Sequence, residues 1–484
     1  MNPPANLGGK ARRAIGWSAI AQVVVFTTQF ALNIVLARLL LPADFGLVAM
    51  VVAFTGFASL FVDMGLGPAL VQLETLEPRH ESTVFWMQLG SSVLLSALTC
   101  ALAPVLGWFY DDPRVIPLAL GISPLFVLIS LGVVHLQLQH RRVQFKRVSI
   151  IEMTSALIAG AGAIALAVFG AGVWALVARP LILAGTRSVA LWVTSSWRPK
   201  LLFDRAAARE VIGFGSGFTG TLIINYWTKR AGDVIVGRSL GTTELGYYNR
   251  AFALMLQPVS QVTRVIMRVM FPVLSRIQKD TSKVRESYLR TITFIAMLTF
   301  PACLGLVALA EPFVGGLLGR EWLPMVPMLQ LFCIAGMINS VDNTAMHLFL
   351  IRGNADKIFR WRTMTALVTL SGFFIGAQWG GVGVAAAYLT STVILMPFNF
   401  SVPGKEFDID VFVAGRVVGK VLVAAVIMAA IVFALDHALP GGRLSHLAVL
   451  TPLGAAIYVV LLLVLRVPEL KEAWGIVRRR KRTT

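Results

Sequence analysis

Apolar residues run along this chain in stretches of about twenty, separated by short polar connections, from near residue 14 to residue 465. A helix of that length crosses the hydrocarbon of a bilayer. Read this way, the sequence predicts fourteen helices, at 14–37, 46–69, 84–109, 115–138, 148–170, 172–195, 211–231, 245–272, 291–318, 323–350, 363–380, 382–402, 417–436 and 446–465. None of the connections is long enough for a soluble domain. The expected fold is therefore an all-α integral membrane protein.

Several segments break the apolar pattern on one face only. In 245–272, Arg250, Gln257, Gln261, Arg264 and Arg268 are spaced by 7, 4, 3 and 4 residues. At about 100° per residue they share one stripe, opposite Leu, Val, Met and Phe. Thr221, Asn225, Lys229 and Asp233 recur every four residues from within 211–231. The first segment carries Ser18, Gln22, Gln29 and Asn33 on one face, and the second carries Thr55, Ser59 and Asp63. Polar and charged groups inside a membrane helix face a wet cavity or a partner. These four segments are predicted to enclose a hydrophilic lumen, cationic through its arginines. The guanidinium fork binds phosphate oxygens in pairs, so such a lumen suits an anionic, phosphate-bearing cargo. Arg264, Arg268 and Lys229 are the residues expected to hold it, with Arg250 nearer the outer end. The same arginines could equally snorkel or pair with acids.

The acids within or beside apolar segments are Asp63, Glu152, Asp233 and Asp342. They are the candidates for coupling to H+ or Na+, and each would serve as readily as an ion-pair partner or helix cap. No other cofactor is expected. Prolines inside apolar runs, including Pro180 beside Arg179, and Pro104, Pro124, Pro258, Pro301 and Pro397, mark points of bending.

Basic residues orient the chain. With a cytoplasmic N-terminus, the outer loops hold only Arg38, Arg114, Arg238, Arg320 and Arg443, and most of the 43 Lys and Arg fall in inner loops and tails. That asymmetry follows the positive-inside rule and places both termini in the cytoplasm. It also explains most of the +19 net charge without nucleic acid. The tail Arg478-Arg479-Arg480-Lys481-Arg482 is a candidate for contact with anionic headgroups. The N-terminal basic flank precedes a run too long for a signal peptide, with no small-residue cleavage site after it.

An internal echo organises these segments. Arg38-Leu39-Leu40-Leu41-Pro42-Ala43-Asp44-Phe45-Gly46 returns as Arg238-Ser239-Leu240-Gly241-Thr242-Thr243-Glu244-Leu245-Gly246, with Arg, Leu, an acid, an apolar residue and Gly at matching offsets. Both copies fall in predicted outer loops, after the first and seventh segments. Repeats in a membrane chain point to a transporter built from two related halves. Six intervening helices make the halves parallel. The predicted domains are an N-terminal six-helix lobe at 1–205, a C-terminal six-helix lobe at 206–402, two further helices at 403–466 and a basic tail at 467–484.

Only 14% of residues are charged, against about a quarter in soluble proteins. Cys100, Cys303 and Cys333 stand singly in apolar runs and the six histidines are dispersed, so neither a disulfide framework nor a metal site is expected. No motif of a soluble catalytic site is present, and no enzyme activity is expected.

The motifs resemble a known family. Ala14-Ile15-Gly16-Trp17-Ser18, Leu36-Ala37-Arg38-Leu39-Leu40 with Pro42 and Asp44-Phe45-Gly46-Leu47, Asp63-Met64-Gly65-Leu66-Gly67-Pro68-Ala69-Leu70-Val71-Gln72, and Glu244-Leu245-Gly246-Tyr247-Tyr248-Asn249-Arg250-Ala251 resemble Wzx-type oligosaccharide flippases. The likeness is to the colanic-acid and teichuronic-acid exporter branch of the multidrug/oligosaccharidyl-lipid/polysaccharide flippase superfamily. The resemblance implies a V-shaped, MATE-like pair of lobes around a cationic cavity. It also implies a polyprenyl-pyrophosphate-linked oligosaccharide as substrate, flipped across the inner membrane for surface polysaccharide synthesis. Polymerase or export machinery would be its neighbours, and the two extra helices would border the lipid tail. Three other readings are weighed. A peptidoglycan-precursor flippase shares the cationic logic. A cation-coupled multidrug exporter would want acids rather than arginines in its lumen. A membrane glycosyltransferase or polymerase would want a sizeable outer loop, which is lacking here.

Overall fold

The computed structural model describes residues 7–63, 66–73, 76–215, 219–351 and 355–470, and every regular element among them is helical. The chain packs as two compact units, Met1–Gly246 and Tyr247–Thr484. The first holds α1 (Leu7–Leu39), α2 (Pro42–Asp63), α3 (Leu66–Gln72), α4 (Pro78–Tyr110), α5 (Val115–Ile122), α6 (Leu125–Arg141), α7 (Phe145–Val168), α8 (Val173–Thr194), α9 (Arg205–Gly215) and the first part of α10 (Thr219–Arg276). The second holds the rest of α10, then α11 (Thr281–Ala308), α12 (Ala310–Phe313), α13 (Val326–Asp342), α14 (Met346–Ile351), α15 (Ala355–Gly376), α16 (Gly380–Gly404), α17 (Val411–Ala438) and α18 (Arg443–Val464). Ten stretches of described residues are long and apolar enough to cross a membrane. They overlap all the predicted segments except the first, seventh and eighth, with Arg360–Phe407 containing two of them. The first segment is counted only as the short apolar stretch Val24–Leu39, the polar eighth lies in α10, and the described residues of the seventh fall in α9 and α10.

Three sequence expectations are corrected, each for a local reason. Within the segment 46–69, the described residues are helical as α2 to Asp63 and as α3 from Leu66. Arg141 rescues the short α3 by donating to the carbonyls of Leu70 at 2.8 Å and Leu73 at 2.7 Å, which the helix end leaves without intrahelical partners. The segment 115–138 is two helices, because Pro124 cannot supply an amide hydrogen. The segment 323–350 breaks after Asp342, where the Thr344 hydroxyl competes for the Val341 carbonyl at 2.6 Å. The loop expected at 232–244 is helical apart from Gly241, whose φ of 83° only glycine adopts easily.

Small residues let the helices of the first unit approach closely, as in membrane bundles generally. Leu32 and Leu36 of α1, with Leu40 just after its end, pack on Ala163 and Ala167 of α7 and on Ala175 and Leu176 of α8. The closest approach joins the two echo sequences. A Cβ on Gly46 would overlap the Thr242 carbonyl, and a Cβ on Gly246 would overlap the Pro42 carbonyl. The four residues form two pairs related by the repeat offset, so each copy of the echo supplies one glycine and one carbonyl to the other. Nearby, the Tyr226 hydroxyl donates to the carbonyls of Val52 at 3.0 Å and Ala53 at 2.8 Å, beside Gly56.

After α8 the chain is strapped to the start of α4. The Trp86 indole donates to the Lys200 carbonyl at 2.7 Å, the Lys200 amide to Ser82 at 3.2 Å and the Asp204 amide to Thr83 at 3.0 Å. The amides of Ala206 and Ala207, together with Arg79, hold the Asp204 carboxyl below its usual range. Ala207, Ala208 and Val211 of α9 are buried, with Val211 in a core with α3, α4 and α6.

The second unit is built around α11 and α17, whose Ile292, Ala296, Phe300, Val421, Ala425 and Met428 share one core. Trp108, Phe169, Trp174 and Trp379 are exposed at helix ends read from the sequence as outer, where aromatic rings suit the headgroup layer.

Substituting Gly46→Ala or Gly246→Ala should lower stability by about 1–3 kcal/mol, the usual result of forcing a methyl into a filled contact. Gly90, exposed on α4 with no atom near its Cβ position, is the control, since Gly90→Ala should be neutral or stabilise by up to ~1 kcal/mol. Thermal unfolding of the three purified variants checks this, and equal midpoints would remove the glycine contact from the account.

Candidate functional site

The part of α10 in the second unit is oriented by an aromatic cluster. Tyr248 and Phe252 meet Phe332 of α13 edge-on at 5.2 and 5.3 Å, and Phe332 and Phe252 meet Tyr388 of α16 at 5.8 and 5.6 Å. With Tyr248, Ala251, Met255, Val259 and Met267 buried, the polar stripe is the less covered face of the helix within this unit. Arg264 and Arg268 are exposed, Gln257 and Gln261 are half-buried, and Arg250 is half-buried with its guanidinium 5.9 Å from the ring centre of the buried Trp322. That cation–π contact makes Arg250 more enclosed than its two partners. Beside the arginines, Val265 and Val269 are 63% and 65% exposed. A cationic row and an apolar row thus run side by side on one helix.

In the first unit, Gln22 and Gln29 are exposed on α1 and Asn33 is half-buried. Arg179 of α8 donates to the Asn33 amide oxygen at 3.3 Å. The polar residues of α2 have a plainer role: Thr55 and Ser59 return their hydroxyls to the carbonyls of Val51 and Thr55, at 3.0 and 2.9 Å. The side chains of Asp63, Asn225 and Lys229 lie outside the described residues.

The acids divide by environment. Asp233 is buried and paired with Arg230, one turn earlier in α10, at 2.8 Å. Glu152 of α7 pairs with Arg187 of α8 at 3.4 Å, both partly exposed. Asp342 is buried at the break after α13. Its Oδ2 accepts from the Asn399 amide at 2.6 Å, while its Oδ1 has no hydrogen-bond partner. The Trp361 indole, donating to Asn399 Oδ1 at 2.7 Å, fixes which way that amide points. Among the described residues no group of three or more His, Cys, Asp or Glu is placed to hold a metal ion.

A family model described as "Polysaccharide biosynthesis protein" matches residues 35–327. The chain belongs to that family. It is a multi-pass membrane protein of polysaccharide biosynthesis, and its relatives agree. It is 28% identical over 385 residues to the lipopolysaccharide biosynthesis protein WzxC of Escherichia coli, covering 78% of this chain and 77% of WzxC. Over 382 residues it is 26% identical to the teichuronic acid biosynthesis protein TuaB of Bacillus subtilis, covering 78% and 79%. Over 492 residues it is 28% identical to the succinoglycan biosynthesis transport protein ExoT of Rhizobium meliloti, covering 99% and 98%. Among solved structures, the lipid II flippase MurJ in an inward closed conformation shares the fold with a TM-score of 0.74 at 14% identity, covering 92% of this chain and 98% of MurJ. An inward-facing multidrug transporter of the MATE family follows at 0.58 and 14%, covering 81% and 98%.

Sequence reasoning passed over Arg179, Arg230 and Asn399. Arg179 carried a signal, a cation in mid-helix, which was read as part of a Pro180 bend. Arg230 lay outside the four-residue spacing of its own segment, and Asn399 acquires meaning only across the 57 residues that separate it from Asp342.

The Arg230–Asp233 pair should be a coupled structural unit. Asp233→Asn should destabilise by about 1–3 kcal/mol by leaving a partly buried guanidinium without its counter-charge. Combining it with Arg230→Gln should cost less than the sum of the two single changes. Additive losses in thermal unfolding of the three variants would show that the pair is not coupled.

Proposed function

We propose that this protein flips polyprenyl-pyrophosphate-linked oligosaccharide repeat units from the inner to the outer leaflet of the cytoplasmic membrane, for assembly of a surface polysaccharide. One observation carries the reading: the cationic and apolar rows that lie side by side on α10. A lipid-linked pyrophosphate has the same two parts, an anionic group joined to an apolar chain. Arg264 and Arg268 are one turn apart, about 6 Å along the axis, a separation that the two phosphoryl groups of one pyrophosphate can bridge. Each guanidinium offers paired donors to phosphoryl oxygens. Gln257 and Gln261, on the same stripe, offer amides suited to sugar hydroxyls. Arg250, held against Trp322, takes a later place along the stripe, and Lys229 and Asn225 are further candidates on the sequence pattern alone. Gln22, Gln29 and Asn33 supply a second polar face on α1.

Membership in a polysaccharide biosynthesis family and relatives named for lipopolysaccharide, teichuronic acid and succinoglycan synthesis support this reading. Transport exposes the arginine stripe to one side of the membrane and then to the other, driven by H+ or Na+. Among the acids, Asp342 suits coupling better than Asp233 or Glu152, because those two are held in direct ion pairs while Asp342, with Arg362 in its neighbourhood, keeps one oxygen without a hydrogen-bond partner. The N- and C-termini are cytoplasmic, with the polymerase and export machinery on the far side.

Deleting the gene should remove the surface polymer and accumulate lipid-linked repeat units, measured by mass spectrometry of extracted lipids. Loss of cell-wall precursor transport with normal polymer would favour a peptidoglycan-precursor flippase instead. The double variant Arg264→Gln/Arg268→Gln should cut export at least about 100-fold, from two lost charge-assisted hydrogen-bonding groups, with membrane insertion intact. Normal polymer output from it would remove both residues from the mechanism. For orientation, alkaline phosphatase fused after Arg114 or Arg320 should be active and after Arg142 or Lys279 inactive, and the reverse pattern would invert the topology.

A further inference from the structure

The strap between α8 and α9 turns three consecutive apolar side chains outward. Leu201 is 93% exposed, Leu202 43% and Phe203 58%. Such exposure of a short apolar run is unusual for a surface facing only water. This run is not loose chain, since the bonds from Trp86, to Ser82 and to Thr83 pin its backbone on either side. Three cations flank it. Lys200, Arg205 and Arg209 are all exposed, and no described residue bonds or pairs with their side-chain nitrogens. The neighbouring acids are otherwise engaged: Asp204 with Arg79 at 3.2 Å and Glu210 with His80 at 3.4 Å. The opposite face of α9, with Ala207, Ala208 and Val211, is already buried in the first unit.

We propose that Lys200–Arg209 is an interfacial anchor that seats Leu201, Leu202 and Phe203 among the acyl chains of the adjoining leaflet and binds its anionic headgroups through Lys200, Arg205 and Arg209. The occupant follows from the chemistry and the place. The segment begins six residues beyond Thr194, the end of a membrane-crossing helix, so the interface of the same bilayer is its immediate surroundings. Apolar residues next to unpaired cations match that interface, with acyl chains below and phosphates above. Because the backbone is held independently of the bilayer, the three side chains present a preformed wedge. This inference does not depend on which cargo is carried.

The test is full-length protein with Cys100, Cys303 and Cys333 replaced by Ser, a single cysteine at Leu201 labelled with bimane, and nanodiscs containing phospholipids brominated on the acyl chain. Bromine should quench Leu201→Cys as it quenches the label at Val193→Cys in α8, and should leave Lys279→Cys bright. Quenching at residue 201 should be stronger in phosphatidylglycerol than in phosphatidylcholine. Lys200→Gln/Arg205→Gln/Arg209→Gln should abolish that preference, with an affinity loss on the order of 100-fold for three interfacial charges. A label at residue 201 as bright as that at residue 279 would overturn the proposal and leave the patch to a soluble partner. Quenching that is indifferent to headgroup charge and to the triple variant would overturn its electrostatic half. If the cysteine at 201 disturbs folding, a label at Leu202 reads the same depth.

Discussion

In the first unit two backbones meet at Gly46 and Gly246. A helix pair comes this close only where neither helix has a side chain to hold it off. Each glycine lies against a carbonyl from the other copy of the echo, Thr242 in one case and Pro42 in the other. Because the contact is made by backbone atoms, it is insensitive to the rotamers that blur ordinary apolar packing. It fixes α2 against the first part of α10, and Tyr226 with its two carbonyl partners extends the same seam. The polar faces of the unit are then placed by what remains uncovered.

The second constraint is the cost of polar groups in a bilayer. Most polar side chains here meet that cost locally. Thr55 and Ser59 return their hydroxyls to the helix that carries them, Asp233 takes Arg230, and Glu152 takes Arg187. Against that background the exposed arginines of α10 and the half-satisfied Asp342 stand out as groups whose counterparts are not supplied in the same way. Charge that is not neutralised by its neighbours is what a carrier of charged cargo must keep.

Much of this was legible in the linear chain, for reasons specific to membranes. Segments such as 417–436 and 148–170 were found because lipid permits few other sequences to span it. The α10 stripe was found because its period is that of the helix itself. The breaks were harder. Pro124 weakens a helix without dictating whether it kinks or stops. At Gly241 the opposite error occurred: a polar stretch with a glycine was read as a loop, yet the backbone needs only one residue in the left-handed region to continue as helix on either side. Partnerships such as Arg179 with Asn33, separated by 146 residues, depend on packing and leave no periodic trace. The α9 strap was missed because its hydrogen bonds run from side chains to backbone, and such bonds have no sequence signature.

The reciprocal glycine contact also has a bearing on origin. A contact in which one surface offers a glycine and a carbonyl, and receives a carbonyl and a glycine in return, is self-complementary. A chain of half this length carrying one such motif would present both parts of the contact to an identical copy. The geometry now held inside one polypeptide is that of a symmetric dimer interface, as expected if a duplicated and fused gene inherited its seam from two subunits.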